Sequence, residues 1–308
     1  MKNENNFTLI ITDYKSIEDT MSFISRFERS TDFCRVNFLI VDNSSENLCI
    51  RYLLNNNIKI NRLQNIDEKV YCFHIHGLDI YLADAESNGG YSKGNNLGAK
   101  VASMIFPQTQ YFIFSNNDLY FKNRLDLDEI EFLFNSDKNI GIIGPNIVSP
   151  DGKRQSPRKN QSFFLQLFVR EWNLYLLRSK LFNLITDVDI KINYGYCDWV
   201  SGCFMLVRKD AFYSCGGFDE NIFLYCEEMI LSDKFREKGY QTYFTSKFRL
   251  VHQHKGGTSM NGLNENFKSR IYYFYHYRQV SRFTCNLAKL NRRIVKSMYK
   301  IMKNHFIH

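Results

Sequence analysis

In the stretch FDENIFLYCEEMILSDKF, Phe218 to Phe235, two adjacent glutamates, Glu227 and Glu228, stand where a loop runs into a helix beside a dense set of aromatic and aliphatic residues. Carboxylates are costly to bury. A pair at the edge of a core either complements the positive end of the helix, a stabilisation of about 0.3–1 kcal/mol, or serves a chemical step such as accepting a proton. On a helix starting near Cys226, Glu227 lines up with Leu231 and Phe235, while Glu228 lies about 100° further round, so a given cleft is expected to receive only one of the two. Three more polar clusters follow apolar runs directly: Thr12-Asp13-Tyr14, Asp42-Asn43-Ser44-Ser45 and Asn116-Asn117-Asp118. Each alone is also an ordinary turn or cap sequence. Between them, SNGGYSKGNNLGAKVA (87–102) carries Gly89, Gly90, Gly94 and paired Asn95-Asn96 into an Ala-containing helix start. Such a loop lets backbone N–H groups approach a phosphate, and a plain tight loop explains it almost as well. It contains neither GxGxxG nor a P-loop lysine motif.

These clusters need elements to position them. The apolar runs FTLIIT (7–12), VNFLIVD (36–42), YFIFSNND (111–118) and IGIIGP (140–145) alternate with helix-like segments at 16–29, 47–56 and 126–135. Such alternation predicts an α/β fold with a mostly parallel sheet covered by helices. In open sheets of that kind ligands bind beyond the carboxyl ends of the strands, which is where the polar clusters fall. The segment 163–196 reads as a helix rich in Leu and Phe followed by a mobile connection, able to cover a ligand or touch a membrane.

Length and composition agree with a folded protein of one large domain or two intimate ones: 308 residues, 44% hydrophobic and 16% aromatic. The first residues offer no secretory signal and no run of about 18 apolar residues suggests a membrane span, so the chain is expected in the cytoplasm. Its eight cysteines form no CxxC pair or Cys/His cluster and are expected to be reduced and mostly buried. The formal charge of +8 is carried by the tail, since Lys268 to His308 holds ten Lys/Arg and no acid, leaving the rest near −2. Within that tail Phe283, Leu287, Leu290, Ile294, Met298, Ile301 and Met302 recur at steps of three and four, the pattern of a basic amphipathic helix. Two placements fit it: docked on the core with a solvated charged face, or laid on an anionic membrane surface. Nucleic acid is not expected as a partner, because no recognition motif accompanies the charge.

Taken together, the segments resemble the family 2 glycosyltransferases, inverting nucleotide-sugar-dependent enzymes of the GT-A fold, particularly their rhamnosyltransferase-like branch. The resemblance covers roughly residues 7 to 260 in the family's order. FLIVDNSS looks like the segment whose aspartate, here Asp42, meets the nucleotide base, with Thr12 and Tyr14 alongside. SNGGYSKGNNLG looks like the family's NxGxAxGNNxG loop and implies donor contacts at Asn88, Gly90 and Asn96. SNND matches the place of the DxD-type metal motif, so Asn116, Asn117 and Asp118 would face the donor, with Asp118 the metal and diphosphate contact. WVSGCFMLVRKDAFYSCGGFDENIFLYCEE (199–228) resembles the acceptor-side block, which implies acceptor contacts at Trp199, Gly202, Asp219 and Tyr225. HKGGTS (254–259) fits an HxxGxS pattern and makes His254 a second metal ligand. The family's base is the second acid of an ED pair, which falls on Glu228; Glu227 would then orient the acceptor or the helix.

The sequence departs from the pattern in two places. Glu227-Glu228-Met229-Ile230-Leu231 stands where the family often has EDxDL, so the base is one methylene longer and the second Asp is Ile230. The metal segment offers one carboxylate, which suits a Mg²⁺ or Mn²⁺ held mainly by substrate phosphates and waters. The aromatic faces of Trp199 and Tyr225 suit a sugar ring and core packing equally. The resemblance implies a GT-A domain over 1–262, divided into a nucleotide-sugar-binding half (1–120) and an acceptor-binding half (121–262), followed by a basic helical extension at 263–308. It implies a dTDP- or UDP-linked donor and a glycan or lipid-linked acceptor, with the protein peripheral on the inner face of the cell membrane through 281–308. A homo-oligomer is left open. The rival readings are a catalytically inactive nucleotide-sugar-binding protein and a scaffold of a polysaccharide assembly complex.

Overall fold

The computed structural model describes residues 5–64, 66–177, 192–253 and 259–305. Strands β1 (Phe7–Asp13), β2 (Val36–Asp42), β5 (Leu78–Asp84) and β6 (Tyr111–Ser115) pair in parallel, in the order β5-β2-β1-β6, at the centre of one sheet. Antiparallel β10 (Phe204–Arg208) joins β6 to β8 (Ile140–Val148), and β11 (Gln241–His252) runs parallel to β8. The edges are β3 (Ile60–Arg62) and β4 (Val70–Ile75) on one side, with β7 (Leu119–Phe121) and β9 (Tyr194–Cys197) paired to β11 on the other. Strands β1, β2, β3, β5, β6, β8 and β11 thus point one way, as the alternating sequence pattern predicts, and β4, β7, β9 and β10 the other.

The central strands are apolar without interruption because both faces are covered. Phe7, Leu9 and Ile11 of β1 face one core with α1 (Ile17–Ser30), α2 (Leu48–Asn55) and α4 (Leu127–Ser136). Ile10 faces the other, with α3 (Gly90–Ile105), α5 (Lys209–Ser214) and α6 (Glu227–Glu237). Two glycines let α3 lie directly on the sheet. A Cβ on Gly98 would stand 2.4 Å from Ile10 Cγ2, and one on Gly94 would stand 2.5 Å from Thr12 Cγ2. A bulkier residue at either would push the helix off β1.

A third core joins α7 (Met260–His276), α8 (Arg282–His305) and Cys226 to a helical segment that is π-helical at Leu165–Val169 and Asn173–Leu177. The expected helix rich in Leu and Phe is therefore present; most of the connection expected after it, 178–191, lies outside the described residues. Helix α7 begins at Met260, capped by Ser259, so position 262 falls in its first turn and the helical extension starts slightly earlier than the resemblance implied. Helix α8 docks through Cys285, Ala288, Arg292 and Val295, all buried, while the stripe Phe283, Leu287, Leu290, Ile294, Met298, Ile301 and Met302 is exposed throughout. The helix is docked on the core, and its larger apolar face is still turned outward.

One buried charge group fixes that docking. Glu171, fully buried, accepts from Arg270 Nη2 of α7 at 3.2 Å and from Arg292 Nη1 of α8. Arg292 also donates to Leu263 O and Asn264 Oδ1 at 3.0 Å each. Removing one partner of such a group strands the others uncompensated in a low dielectric. Glu171→Gln is expected to cost about 3–5 kcal/mol, read as a lower denaturant midpoint together with faster amide exchange in α8.

Candidate active site

The parallel strands end in register on aspartates: Asp13 pairs with Asp42, and Asp42 with Asp84. Asp13 accepts from Ser16 N at 3.1 Å and Thr20 Oγ1 at 2.6 Å, and burial raises its carboxyl above the ordinary range despite those bonds. Asp42 accepts from the amides of Ser44 and Cys49 at 3.0 Å each, so it ties the strand end to the start of α2. Thr12 lies half-buried beside them with Oγ1 lacking a hydrogen-bond partner among the described residues, and Tyr14 just beyond the strand is 51% exposed. Asn43 bonds Asn88 Oδ1 and Gly90 O at 3.1 Å each, which pins the glycine-rich loop to the same rim.

Several residues expected to meet a donor or acceptor are spent on the framework. Gly90 has φ +85°, and a Cβ there would stand 2.2 Å from Phe223 O, so glycine is required where α3 meets the 217–223 turn. Asn96 donates to Phe218 O at 3.0 Å and accepts from Phe218 N at 3.0 Å, clamping that turn. Asn117 donates to Ser16 Oγ and Thr20 Oγ1 at 2.8 Å each, toward α1. Asp219 accepts from Tyr277 Oη at 2.6 Å and Tyr272 Oη at 2.9 Å. Burial alone would raise its carboxyl, and these bonds with those from Asn221 lower it instead.

The two glutamates occupy the start of α6. Tyr225 and Cys226, just before them, have φ +71° and +68°, left-handed conformations that cost a bulky residue about 1–3 kcal/mol and recur where side chains must be aimed. Both carboxylates reach the same spot, which corrects the expectation that only one would. From where a Cβ on Gly202 would stand, Glu227 Oε1 is 3.5 Å away and Glu228 Oε2 3.6 Å. The left-handed entry and the missing Gly202 side chain overcome the 100° offset. Tyr91 Oη donates to Gly202 O at 2.6 Å, closing the site from α3. Burial, and then the Glu228 charge, pushes the Glu227 carboxyl well above the glutamate range. Burial also raises Glu228, to about 7, with its own backbone amide, the Glu227 hydrogen bond and the Arg158 charge pulling the other way. Two carboxylates so close share a proton, so near neutral pH Glu227 keeps it while Glu228 is poised to take one.

The metal-motif segment lies next door. Asn116 N donates to Cys203 O at 2.8 Å, so the residue after Gly202 holds the start of the NND turn. Strand β7 then pairs with β11, which brings Asp118 Oδ1 to 3.1 Å from His252 Nε2, while His252 Nδ1 meets Gln155 Oε1 at 2.8 Å. Burial would lower the His252 imidazole, but Asp118 and Cys203 together raise it. Among the described residues no group of three or more His, Cys, Asp and Glu is placed to hold a metal ion. Asp118 and His252 nevertheless make a two-donor set of oxygen and imidazole nitrogen, with Asp118 Oδ1 buried and facing His252 Nε2. That set fits a divalent cation completed by phosphate oxygens and water. His254 lies outside the described residues, so the histidine that the structure brings to Asp118 is its neighbour His252.

On the acceptor side, Trp199 is half-buried, pairs its backbone with Arg158, and has its indole Nε1 buried with no hydrogen-bond partner among the described residues. Sequence reasoning placed Asp13 in the first polar cluster without giving it a role and missed Asp84, although each ends an apolar run as Asp42 does. It also missed Tyr91 and Arg158, which nothing local marks.

No protein-family model matches the chain. Over 224 residues, it is 26% identical to the low-salt glycan biosynthesis hexosyltransferase Agl10 of Haloferax volcanii, covering 72% of this chain and 59% of that one. Over 117 residues it is 39% identical to the N-acetylglucosaminyl-diphospho-decaprenol L-rhamnosyltransferase of Mycobacterium tuberculosis, covering 36% of this chain and 37% of that one. The chain thus spans less than two thirds of either relative. In fold it is similar to GalNAc-T7, solved with UDP, GalNAc and Mn²⁺, with a TM-score of 0.56 at 13% identity over 91% of this chain and 50% of that one.

The raised carboxyls make stability fall with pH. Between the unfolded glutamate value near 4.5 and the folded value near 7 for Glu228, the native protein holds a proton that the unfolded chain has released. Stability is therefore lost as pH rises through that window and stays lost above it. Glu228→Gln is expected to melt higher than the wild type at pH 8, by the equivalent of about 3 kcal/mol, and to come close to it at pH 4.5; thermal scans at the two pH values check this.

Proposed function

We propose that this chain, a rhamnosyltransferase-like relative of the family 2 glycosyltransferases with the GT-A fold, moves a hexose from a nucleoside diphosphate sugar to a hydroxyl of a glycan acceptor with inversion. The observation that carries the reading is the Glu227–Glu228 pair, buried at Glu227 and half-buried at Glu228 and set against Gly202, with the adjacent Cys203 holding the turn that bears Asp118. L-Rhamnose is the favoured sugar, as the activities named for the relatives support, and dTDP the favoured base, with UDP-hexoses second, because of the branch the sequence resembles. The acceptor we favour is a lipid-linked oligosaccharide or another cell-surface polysaccharide precursor, with the protein peripheral on the inner face of the membrane through 281–308.

In this reading the donor lies across the ends of β1, β2 and β6, against Thr12, Tyr14 and Asn116, while Asp42 shapes the wall that meets the base by holding α2. Glu228, ionised above about pH 7, takes the proton from the acceptor hydroxyl as the new O–C1 bond forms and the C1–diphosphate bond breaks. Glu227 keeps its own proton and limits the pair to a single negative charge. Asp118 and His252 would hold Mg²⁺ or Mn²⁺, which when bound neutralises the departing diphosphate. One displacement on one face inverts the anomeric centre. Trp199 and Tyr225 would face the acceptor sugar, with Gly202 leaving room for it.

Calorimetry with dTDP and UDP, with and without Mn²⁺, tests the donor site. Metal-dependent binding is expected in the wild type and lost in Asp118→Asn, whereas no binding of either nucleotide under any condition would end the transferase reading. Glu228→Gln is expected to keep nucleotide binding and lose about 10²–10⁴ in turnover, with the wild-type rate rising with pH through a midpoint near 7.

A further inference from the structure

Helix α8 divides its circumference into three sectors. At 100° per residue, Phe283, Leu287, Leu290, Ile294 and Ile301 fall within about 60° of one another, and all are exposed. The docked face, Cys285, Ala288, Arg292 and Val295, lies roughly 150° away. Arg282, Lys289, Arg293 and Lys296 fill the remaining side, where they and α7 line a cavity of about 820 Å³. Its floor is apolar, with Phe267 and Ile271 of α7 and Cys285 of α8. Its charge is one-sided, because the acid among its lining residues, Glu265, is already paired with Lys268 at 2.7 Å. The crowding is felt within the groove: burial, then Arg292 and Lys300, lowers the Lys296 ammonium.

We propose that the groove between α7 and α8 binds the phosphate headgroup of an anionic phospholipid, while the exposed stripe of α8 enters the acyl region beside it. The inference rests on the membrane contact proposed above and gives it a site and a lipid class. Charge complementarity selects the occupant, since the groove presents cations without free acids and has an apolar floor continuous with the protein core. Long Lys and Arg stems let the charges reach headgroups while the stripe sits deeper. The groove is also joined to the acceptor-side block, because Tyr272 of its wall bonds Asp219 at 2.9 Å and Ser269 of α7 bonds Leu224 O at 2.6 Å.

The test is co-sedimentation of the full chain with vesicles of phosphatidylcholine alone and of phosphatidylcholine mixed with phosphatidylglycerol. The wild type is expected to prefer the mixed vesicles and to lose that preference as salt rises. The variant Arg282→Gln/Lys289→Gln/Arg293→Gln, which touches exposed side chains alone, is expected to bind them about 100-fold more weakly, roughly 1 kcal/mol per charge removed, with nucleotide binding unchanged. The stripe variant Leu287→Ser/Ile294→Ser is expected to lose vesicle binding as well. Equal binding by the wild type to both vesicles, or by the triple variant and the wild type to mixed vesicles, overturns the headgroup site and leaves the membrane contact standing. Binding to neither vesicle overturns both and leaves the transfer reaction untouched.

Discussion

Two carboxylates packed against one glycine are the constraint on which the rest of this structure depends. Left to local energetics, Glu227 and Glu228 would turn to solvent, where each could ionise fully. They are held instead by a left-handed step at Tyr225 and Cys226 and by Gly202, whose missing side chain leaves the space they share. The backbone of Gly202-Cys203 is in turn fixed from two sides, by Tyr91 Oη on Gly202 O and by Asn116 N on Cys203 O. The glutamate end and the Asp118 end of the site are therefore one mechanical unit. A shift at either would be felt at the other through two residues of chain.

That unit explains how the surrounding framework is spent. Helix α3 must lie close enough for Tyr91 to reach Gly202, which is why Gly94 and Gly98 sit against β1 and why Gly90 accepts the approach of Phe223. Asn96 clamps the 217–223 turn that delivers the chain into α6. Asp219 anchors the same turn to Tyr272 and Tyr277, so the C-terminal helices brace the glutamate edge from behind. The buried Glu171 group extends the brace to α8. Residues that resemble ligand contacts in sequence thus act one step back, positioning the backbone that positions the glutamates.

Much of the fold was legible because its signals are local and repeated. Apolar runs ending in polar clusters give parallel strands with a loaded carboxyl edge, and this holds for β1, β2 and β6 alike. The steps of three and four in α8 were equally plain. What they could not reveal was which side of that helix docks. Burial went to the smaller face of Cys285, Ala288 and Val295, because Arg292 on that face finds Glu171, some 120 positions away in the chain. Which histidine meets Asp118 was ambiguous for a similar reason, since two histidines stand two residues apart and it is the pairing of β7 with β11 that brings His252 to Asp118.

The sequence by itself determined the kind of sheet, the order of its elements and the residue types gathered at its edge, because periodicity and turn chemistry act over a few residues. The tertiary structure alone decided that both glutamates converge, that Asn96 and Asp219 are braces, and that the broad apolar stripe of α8 faces outward. Those outcomes depend on burial and on partners distant in the chain, where a missing Cβ or one buried countercharge changes which of several locally equal arrangements has the lower free energy.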